Sequence, residues 1–130
     1  MSQRVFIDTS AYYTLLDKSA TDHTQAQAAF KRMTSDQAEL YITTIIVAEI
    51  HALVLIRLGR DLAARTLEGL YASSVRIIRP TERDETRARE IIRQQRDKAY
   101  SYADAISFAV MERLHLRHAW TYDHHFSQYG

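Results

Sequence analysis

Four short apolar runs divide the chain at irregular intervals. They cover residues 5–7, 40–42, 75–78 and 118–122. Each run is short, and all are rich in β-branched or aromatic residues, which is typical of buried β-strands. We therefore predict one strand at each run, with the first strand followed at once by Asp8.

Between these runs, apolar residues recur three or four positions apart, the spacing of an amphipathic helix. The pattern predicts helices at residues 9–17, from 22 to 34 or 35, at 45–58, from 61 onward, at 81–98 and at 101–114. Thr43 or Thr44 is the expected N-cap of the helix at 45–58, and Gly59 is its expected end. The residues expected on the inner faces of the helices that begin at 61 and 81 are Leu67, Leu70, Tyr71, Ala88, Ile91 and Ile92.

Three of the predicted helices begin with the spacing of a capping box. In this motif a residue at the N-cap and another three positions later bond to each other's backbone N–H groups. The three starts lie at residues 22–25, 81–84 and 101–104. We expect each of these segments to form such a cap.

Strands that alternate with helices predict a mostly parallel sheet with helices on both faces. The chain has 130 residues, without repeats, low-complexity stretches or linkers, and this length suits one domain. We therefore expect a single α/β domain over residues 1–130. Its architecture should be a three-layer α/β/α sandwich with four to five strands in the central sheet.

Composition narrows the chemistry. The chain is 46% hydrophobic and 25% charged, as is usual for soluble globular proteins. It has no Cys, which excludes disulfides, thiol catalysis and cysteine–zinc sites. No apolar run approaches the ~20 residues of a membrane helix, and the first strand begins too early to follow a signal peptide, so we expect a cytoplasmic protein. A net charge of +1 neither indicates nor excludes a nucleic-acid partner.

Several α/β enzyme classes lack their motifs here. The glycine-rich motifs of dinucleotide and P-loop sites are absent, and so is the Gly-x-Ser-x-Gly nucleophile elbow. A haloacid-dehalogenase-like phosphatase needs a second Asp where this chain has Ser10. A receiver domain needs a lysine after its last strands, and no lysine follows Lys98. Carboxylates remain as the candidate chemistry.

Two of these carboxylates follow strands. Asp8 and Asp123 each come directly after a predicted strand, at the carboxyl edge where open α/β sheets bind ligands. The alternative for Asp8 is a helix N-cap, and for Asp123 it is a turn residue.

Glu49 is the most unusual acid in the chain, because it lies in the apolar helix predicted at 45–58. Its neighbours three and four positions away are Ile45, Ile46, Ala52 and Leu53. Glu49 therefore shares a face with residues expected to be buried. A buried, unpaired carboxylate costs several kcal/mol or takes up a proton. The alternatives are a salt bridge to a distant arginine and a cation at the edge of the core.

Asp104 lies three residues after Ser101, the N-cap of the predicted capping box, and this role is sufficient as a structural explanation. The helix that follows is nearly all apolar, so its start should abut the sheet and bring Asp104 toward the strand ends. His124 and His125 follow Asp123. We expect no zinc site there, because adjacent side chains point apart and no other His or Glu stands at ligand spacing.

Taken together, the four acids should meet at one edge of the sheet. Oxygen ligands without cysteine suit hard cations such as Mg²⁺ or Mn²⁺. Without a cation, four clustered carboxylates would repel one another strongly.

The segments 8–10, 101–105 and 121–126, together with Glu49, resemble the PIN-domain nucleases, and within them the VapC-type toxins of toxin–antitoxin pairs. The resemblance spans the whole chain. It implies an endoribonuclease dependent on Mg²⁺ or Mn²⁺. The residues implied to be catalytic are Asp8, Glu49, Asp104 and Asp123. Of these, Asp8, Asp104 and Asp123 would bind the metal, with Ser10 and Thr121 supporting the ligands from behind.

The resemblance also implies hydrolysis of RNA to 5′-phosphate and 3′-hydroxyl ends, a homodimer and an antitoxin that covers the cleft. Two alternatives stay open: a housekeeping PIN nuclease, and a catalytically silent PIN-like module that binds RNA or protein. The candidates for RNA contact are Arg57, Arg60, Arg65 and Arg96, although arginines on a solvated face are common.

Overall fold

The structure is a computed structural model, and it describes residues 3–129. Within this range the chain forms four strands and seven helices. The strands are β1 (Arg4–Ile7), β2 (Glu39–Thr43), β3 (Arg76–Ile78) and β4 (His118–Trp120). The helices are α1 (Thr9–Leu16), α2 (His23–Ser35), α3 (Thr44–Leu58), α4 (Arg60–Ala72), α5 (Glu82–Gln94), α6 (Tyr102–Leu114) and α7 (His124–Tyr129).

The four strands form one parallel sheet in the order β3-β2-β1-β4. β1 is an inner strand, and Phe6 and Ile7 within it are fully buried. β1 pairs directly with β4, Ile7 lying opposite Trp120, and the Asp8 amide donates to the Trp120 carbonyl at 3.0 Å. The segments that follow β1 and β4 therefore leave the sheet side by side.

The helices form two packed groups. α1 contacts α2 and α3, and α3 contacts α4; α6 contacts α5 and α7. Parallel strands need such crossover helices, and the two groups cover the sheet. The predicted three-layer α/β/α architecture with a parallel central sheet is confirmed. None of the helices within residues 3–129 combines the length and apolar character needed to cross a bilayer.

Most helix ends follow the local sequence. The Thr43 hydroxyl caps α3 by accepting from the Ile46 amide at 3.1 Å, and α3 ends at Gly59, whose φ of 103° suits glycine. The capping boxes at the starts of α5 and α6 are both present. The capping box predicted at 22–25 is wrong, because Asp22 makes no side-chain bond to the start of α2.

Other predictions differ in detail. α5 ends at Gln94, four residues before the predicted end. Tyr71 is 56% and Ile92 40% exposed, although both were expected on inner faces. Their neighbours Leu70 and Ile91 are buried, and consecutive helical residues do not face the same side. The short helix α7 was not predicted.

Candidate active site

Asp8 follows β1 and is almost fully buried, with 5% exposure. Its Oδ2 accepts hydrogen bonds from the hydroxyls of Ser10 at 2.8 Å and Thr121 at 2.9 Å. The Ser10 amide approaches the same oxygen at 3.4 Å, so Asp8 also caps α1. The carboxylate is thus held by residues that follow both β1 and β4. Asp8 can therefore cap α1 and belong to a functional site at the same time.

The two hydroxyls also fix the loop after β4. Ser10 Oγ accepts from the Tyr122 amide at 2.9 Å, and Thr121 Oγ1 accepts from the Asp123 amide at 2.9 Å. The two hydroxyl oxygens lie 3.3 Å apart. The same pair of side chains therefore positions Asp8 and the backbone that leads into Asp123.

Glu49 lies in the second turn of α3 and is half-buried. Its Oε1 accepts a hydrogen bond from the Thr9 hydroxyl at 2.7 Å. Within residues 3–129 no arginine forms a salt bridge with Glu49. The salt-bridge alternative is therefore wrong, and the carboxylate faces the region beside Asp8.

Asp104 closes the capping box of α6. Its Oδ2 accepts from the Ser101 amide at 3.2 Å, and the Ser101 hydroxyl accepts from the Asp104 amide at 3.0 Å. The same Oδ2 lies 3.1 Å from Nδ1 of His125. Asp104 therefore serves as a helix cap and also reaches the residues that follow β4.

Asp123 begins α7. Its Oδ1 accepts from the His125 amide at 2.9 Å and lies 3.5 Å from the His125 ring nitrogen Nδ1. One ligand atom from each of Asp104, Asp123 and His125 lies within 4.8 Å of the others. The loop and α7 thus bring an imidazole between two carboxylates.

All four predicted acids line one cleft of about 890 Å³, together with Ser10 and His125. Thr121 supports Asp8 from outside this lining. The structure therefore places all four predicted acids along one cleft. Within residues 3–129, however, the compact group of possible metal ligands contains Asp104, Asp123 and His125, and not Asp8 or Glu49. The chemical roles of the predicted site residues remain predictions.

The charges in this cleft are coupled. Burial raises the pKa of Asp8, the hydrogen bonds from Ser10 and Thr121 oppose this rise, and the Asp104 charge adds to it. Burial also raises the pKa of Glu49, opposed by the Thr9 hydroxyl and increased by the charges of Asp8 and Asp104. A bound cation would offset both the cost of burying these carboxylates and the repulsion between them.

The donor set fits a divalent metal ion. Carboxylate oxygens from Asp8, Asp104 and Asp123, with Glu49 beside them, are the ligands that Mg²⁺ and Mn²⁺ prefer. Metal-binding carboxylates are commonly held by further hydrogen bonds, and Ser10 and Thr121 provide these for Asp8.

Two contributors were missed in the sequence. Thr9 follows Asp8 directly, and no local pattern shows that its hydroxyl meets Glu49, 40 positions away. His125 was set aside because adjacent side chains point apart. That argument separates His125 from His124, but it says nothing about Asp123, which is two residues away and bonds to the His125 amide as the N-cap of α7. An Asp before a short helix was the available signal.

Of the four arginines considered for RNA contact, Arg57 lines the cleft. Its guanidinium lies 5.2 Å from the centre of the Tyr13 ring, a cation–π distance. Arg60, Arg65 and Arg96 are exposed and are not part of the cleft lining.

The sequence pattern of the PIN domain family matches residues 5–130. The chain is also 28% identical over 127 residues to the protein named 23S rRNA-specific endonuclease VapC20 in two strains of Mycobacterium tuberculosis. That match covers 97% of this chain and 94% of the relative.

Solved structures agree with this match. The crystal structure of M. tuberculosis VapC20, described as a Sarcin-Ricin loop cleaving toxin, superposes with a TM-score of 0.87 at 27% identity, over 97% of this chain and 95% of that one. FitAcB from Neisseria gonorrhoeae has a TM-score of 0.67 at 20% identity, covering 92% and 88% of the two chains. A toxin–antitoxin complex from Klebsiella pneumoniae gives 0.64 at 16%, covering 92% and 87%. The last two share the fold.

Proposed function

Because the chain belongs to the PIN domain family, we propose that it is a divalent-metal-dependent endoribonuclease and the toxin of a toxin–antitoxin pair. The observation that supports this most is the convergence of Asp8, Glu49, Asp104 and Asp123 on one cleft. Neither a strand-end cap nor a helix cap explains why Glu49, in the middle of a helix, faces the same space.

In this proposal, Asp8, Asp104 and Asp123 hold Mg²⁺ or Mn²⁺, and Glu49 completes the cluster. A bound divalent ion would lower the pKa of water and offset the charge of a phosphodiester. The hydroxyl donors to Asp8, from Ser10 and Thr121, both reach Oδ2, so neither of them occupies Oδ1, which would be available to a cation.

Two other side chains, Thr9 and Arg57, would assist metal and RNA binding in the cleft. Thr9 holds Glu49 in a fixed position, so little reorganisation is needed when metal and RNA bind. Arg57, on the cleft wall, would contact a phosphate of the RNA, for which arginine is well suited.

The relative's name makes ribosomal RNA the first substrate to test. VapC20 is named as an endonuclease specific for 23S rRNA, and its match spans nearly the whole of both chains. We propose that this protein cleaves a structured RNA of the same class, and that it does so in the cytoplasm, where ribosomes lie.

We further propose a cognate antitoxin and a homodimer. Ile56 and Leu55 on α3 are 80% and 43% exposed, and large exposed apolar side chains often mark interfaces. Light scattering should give a dimer mass for the wild type and a monomer mass for Ile56→Glu. A Gln25→Glu variant, which adds the same charge at an exposed position of α2, should stay dimeric.

Cleavage of ribosomal RNA by purified protein tests the enzymatic proposal. We expect cleavage with added Mg²⁺ or Mn²⁺, none in chelator, and a loss of at least ~100-fold in Asp8→Asn. Asp61→Asn is the matched control, because the Asp61 side chain is 94% exposed. Equal rates for Asp8→Asn and wild type, or cleavage in chelator, would contradict metal-dependent catalysis at this cleft. No cleavage by the wild type with either metal would favour the catalytically silent module.

Growth tests separate the toxin from the housekeeping nuclease. Induction of the wild-type gene should arrest growth, and co-expression of the neighbouring small gene should restore it. Induction of Asp8→Asn should have no effect. Unimpeded growth with a catalytically active wild-type protein would favour the housekeeping role.

A further inference from the structure

His125 places an imidazole inside the acidic cluster. Its Nδ1 lies 3.1 Å from Asp104 Oδ2 and 3.5 Å from Asp123 Oδ1. The side chain is only 22% exposed, and the buried Tyr100 ring meets the imidazole edge-on, 5.5 Å between centres. The nitrogen therefore faces the two carboxylates in a fixed orientation.

We propose that His125 is a metal ligand, so that the site is a mixed nitrogen–oxygen site that favours Mn²⁺ over Mg²⁺. This inference rests on the proposed function, because it takes the acidic cluster to be a divalent-metal site. It adds a ligand from a residue type that the four-acid pattern does not contain.

The spacing of the three ligand atoms suits one ion. In an octahedral site with metal–ligand distances of about 2.1 Å, neighbouring ligands lie about 3.0 Å apart. The two distances from Nδ1, 3.1 and 3.5 Å, are close to this separation. One ligand atom from each of the three residues lies within 4.8 Å of the others, so the three side chains face a common space in which one cation would fit.

The backbone of His125 is also well anchored. Its amide donates to Asp123, and the next residue, Phe126, is buried against Phe6 and Phe108. His124 offers a contrast: its side chain is 75% exposed, and its Nδ1 lies 3.9 Å from Asp123 Oδ1. The chain thus supplies a matched control one residue away.

The choice of metal follows from ligand chemistry. Mn²⁺ prefers oxygen ligands but, as a transition-metal ion, also accepts an imidazole nitrogen, whereas Mg²⁺ binds nitrogen poorly and keeps much of its water. Removing the imidazole should therefore weaken Mn²⁺ binding more than Mg²⁺ binding. We expect the dissociation constant for Mn²⁺ to rise about 10-fold in His125→Gln and that for Mg²⁺ to change by less than about 3-fold.

Pulsed electron paramagnetic resonance of the Mn²⁺-loaded protein tests the ligand directly. The wild type should show modulation from a directly bound ¹⁴N nucleus. His125→Gln should lose it, and His124→Gln should keep it. Circular dichroism checks that each variant is folded. If His125→Gln does not fold, the paramagnetic resonance spectrum of the wild type still shows whether a nitrogen binds Mn²⁺.

The outcomes distinguish this inference from the proposed function. Mn²⁺ that binds the wild type without ¹⁴N coupling, or coupling that is lost only in His124→Gln, overturns the role of His125 and leaves the acidic site intact. Mn²⁺ binding that is absent in the wild type, or unchanged in both Asp8→Asn and Asp104→Asn, overturns both.

Discussion

The hydroxyl of Thr9 donates a 2.7 Å hydrogen bond to Oε1 of Glu49, joining the first residue of α1 to the second turn of α3. Asp8 precedes Thr9 and is held by Ser10 and Thr121. Neighbouring residues at the end of β1 therefore control two acids of the cleft, one directly and one across 40 positions of sequence.

Replacing Thr9 by Val should raise the pKa of Glu49 further. A donated hydrogen bond stabilises the charged carboxylate, and Thr9 now opposes the effect of burial on this group. A pH titration of the ¹³C-labelled Glu side chains measures the change in metal-free protein. Thr14→Val, which removes a hydroxyl bonded to the Ser10 carbonyl, should leave Glu49 unchanged. An unaltered Glu49 titration in Thr9→Val would contradict this arrangement.

Removing one acid should stabilise the metal-free protein near neutral pH. Asp8 and Glu49 have raised pKa values in the folded state. Their contribution to stability is therefore present below the ordinary carboxyl pKa and is lost as pH rises through the raised value. We expect Glu49→Gln to increase the free energy of unfolding by about 1 kcal/mol at pH 7, with the gain shrinking as the medium becomes acidic.

Urea unfolding of metal-free wild type and Glu49→Gln at several pH values measures this gain. Adding Mn²⁺ should make the wild type the more stable of the two proteins. A bound ligand stabilises the folded state, and the wild type keeps the carboxylate that completes the metal site. If Glu49→Gln is less stable than wild type at neutral pH without metal, the carboxylate is structural.

The Arg113–Asp84 pair should give stability the opposite pH dependence from that of Asp8 and Glu49. Asp84 is buried, and Arg113 reaches both of its oxygens at 2.9 to 3.1 Å. Burial alone would raise the pKa of Asp84, but the bonds from Arg113 and Thr81 together hold it below its ordinary value. The resulting stability is present above the ordinary carboxyl pKa and is lost as pH falls.

Arg113→Met should therefore cost about 2 kcal/mol at neutral pH, because it leaves a buried carboxylate unpaired. The cost should diminish in acid, as Asp84 takes up a proton. Arg60→Met is the control, since the Arg60–Asp61 pair is almost fully exposed and such pairs contribute little. Equal losses in the two variants, measured by urea unfolding, would refute the assignment.

The position of α7 should depend on the ring of Tyr129 more than on its hydroxyl. The ring stacks on Phe108 with centres 4.4 Å apart, and the hydroxyl bonds to Glu112. We expect Tyr129→Phe to retain cleavage within ~3-fold, and Tyr129→Ala to lose ~10-fold or more, because small misplacements of site residues are costly. Cleavage rates and hydrogen exchange of α7 measure this; equal activity in both variants would show that α7 needs no such anchor.

Local patterns were sufficient for much of this structure. The apolar run ending at Asp8 identified the inner strand, and Glu49 was recognisable because a carboxylate lay among apolar helical neighbours. Both signals lie within a few residues of sequence.

What could not be predicted depends on tertiary contacts. α7 has only six residues, too few for a periodic pattern. Tyr71 and its buried neighbour Leu70 both carry large hydrophobic side chains, and only the packing of α4 on α3 determines which of them turns inward. The contact of His125 with Asp104 joins elements 21 positions apart, and no spacing rule covers it.

The ends left on cleaved RNA test the central claim most directly. Hydrolysis by metal-activated water leaves a 5′-phosphate and a 3′-hydroxyl, whereas attack by the RNA's own 2′-hydroxyl leaves a 2′,3′-cyclic phosphate. Mass spectrometry of an RNA oligonucleotide cut by the Mn²⁺-loaded protein should give 5′-phosphate ends, and Asp104→Asn should give no product. Cyclic phosphate ends, formed equally by Asp104→Asn or in chelator, would contradict a metal-dependent nuclease at this cleft.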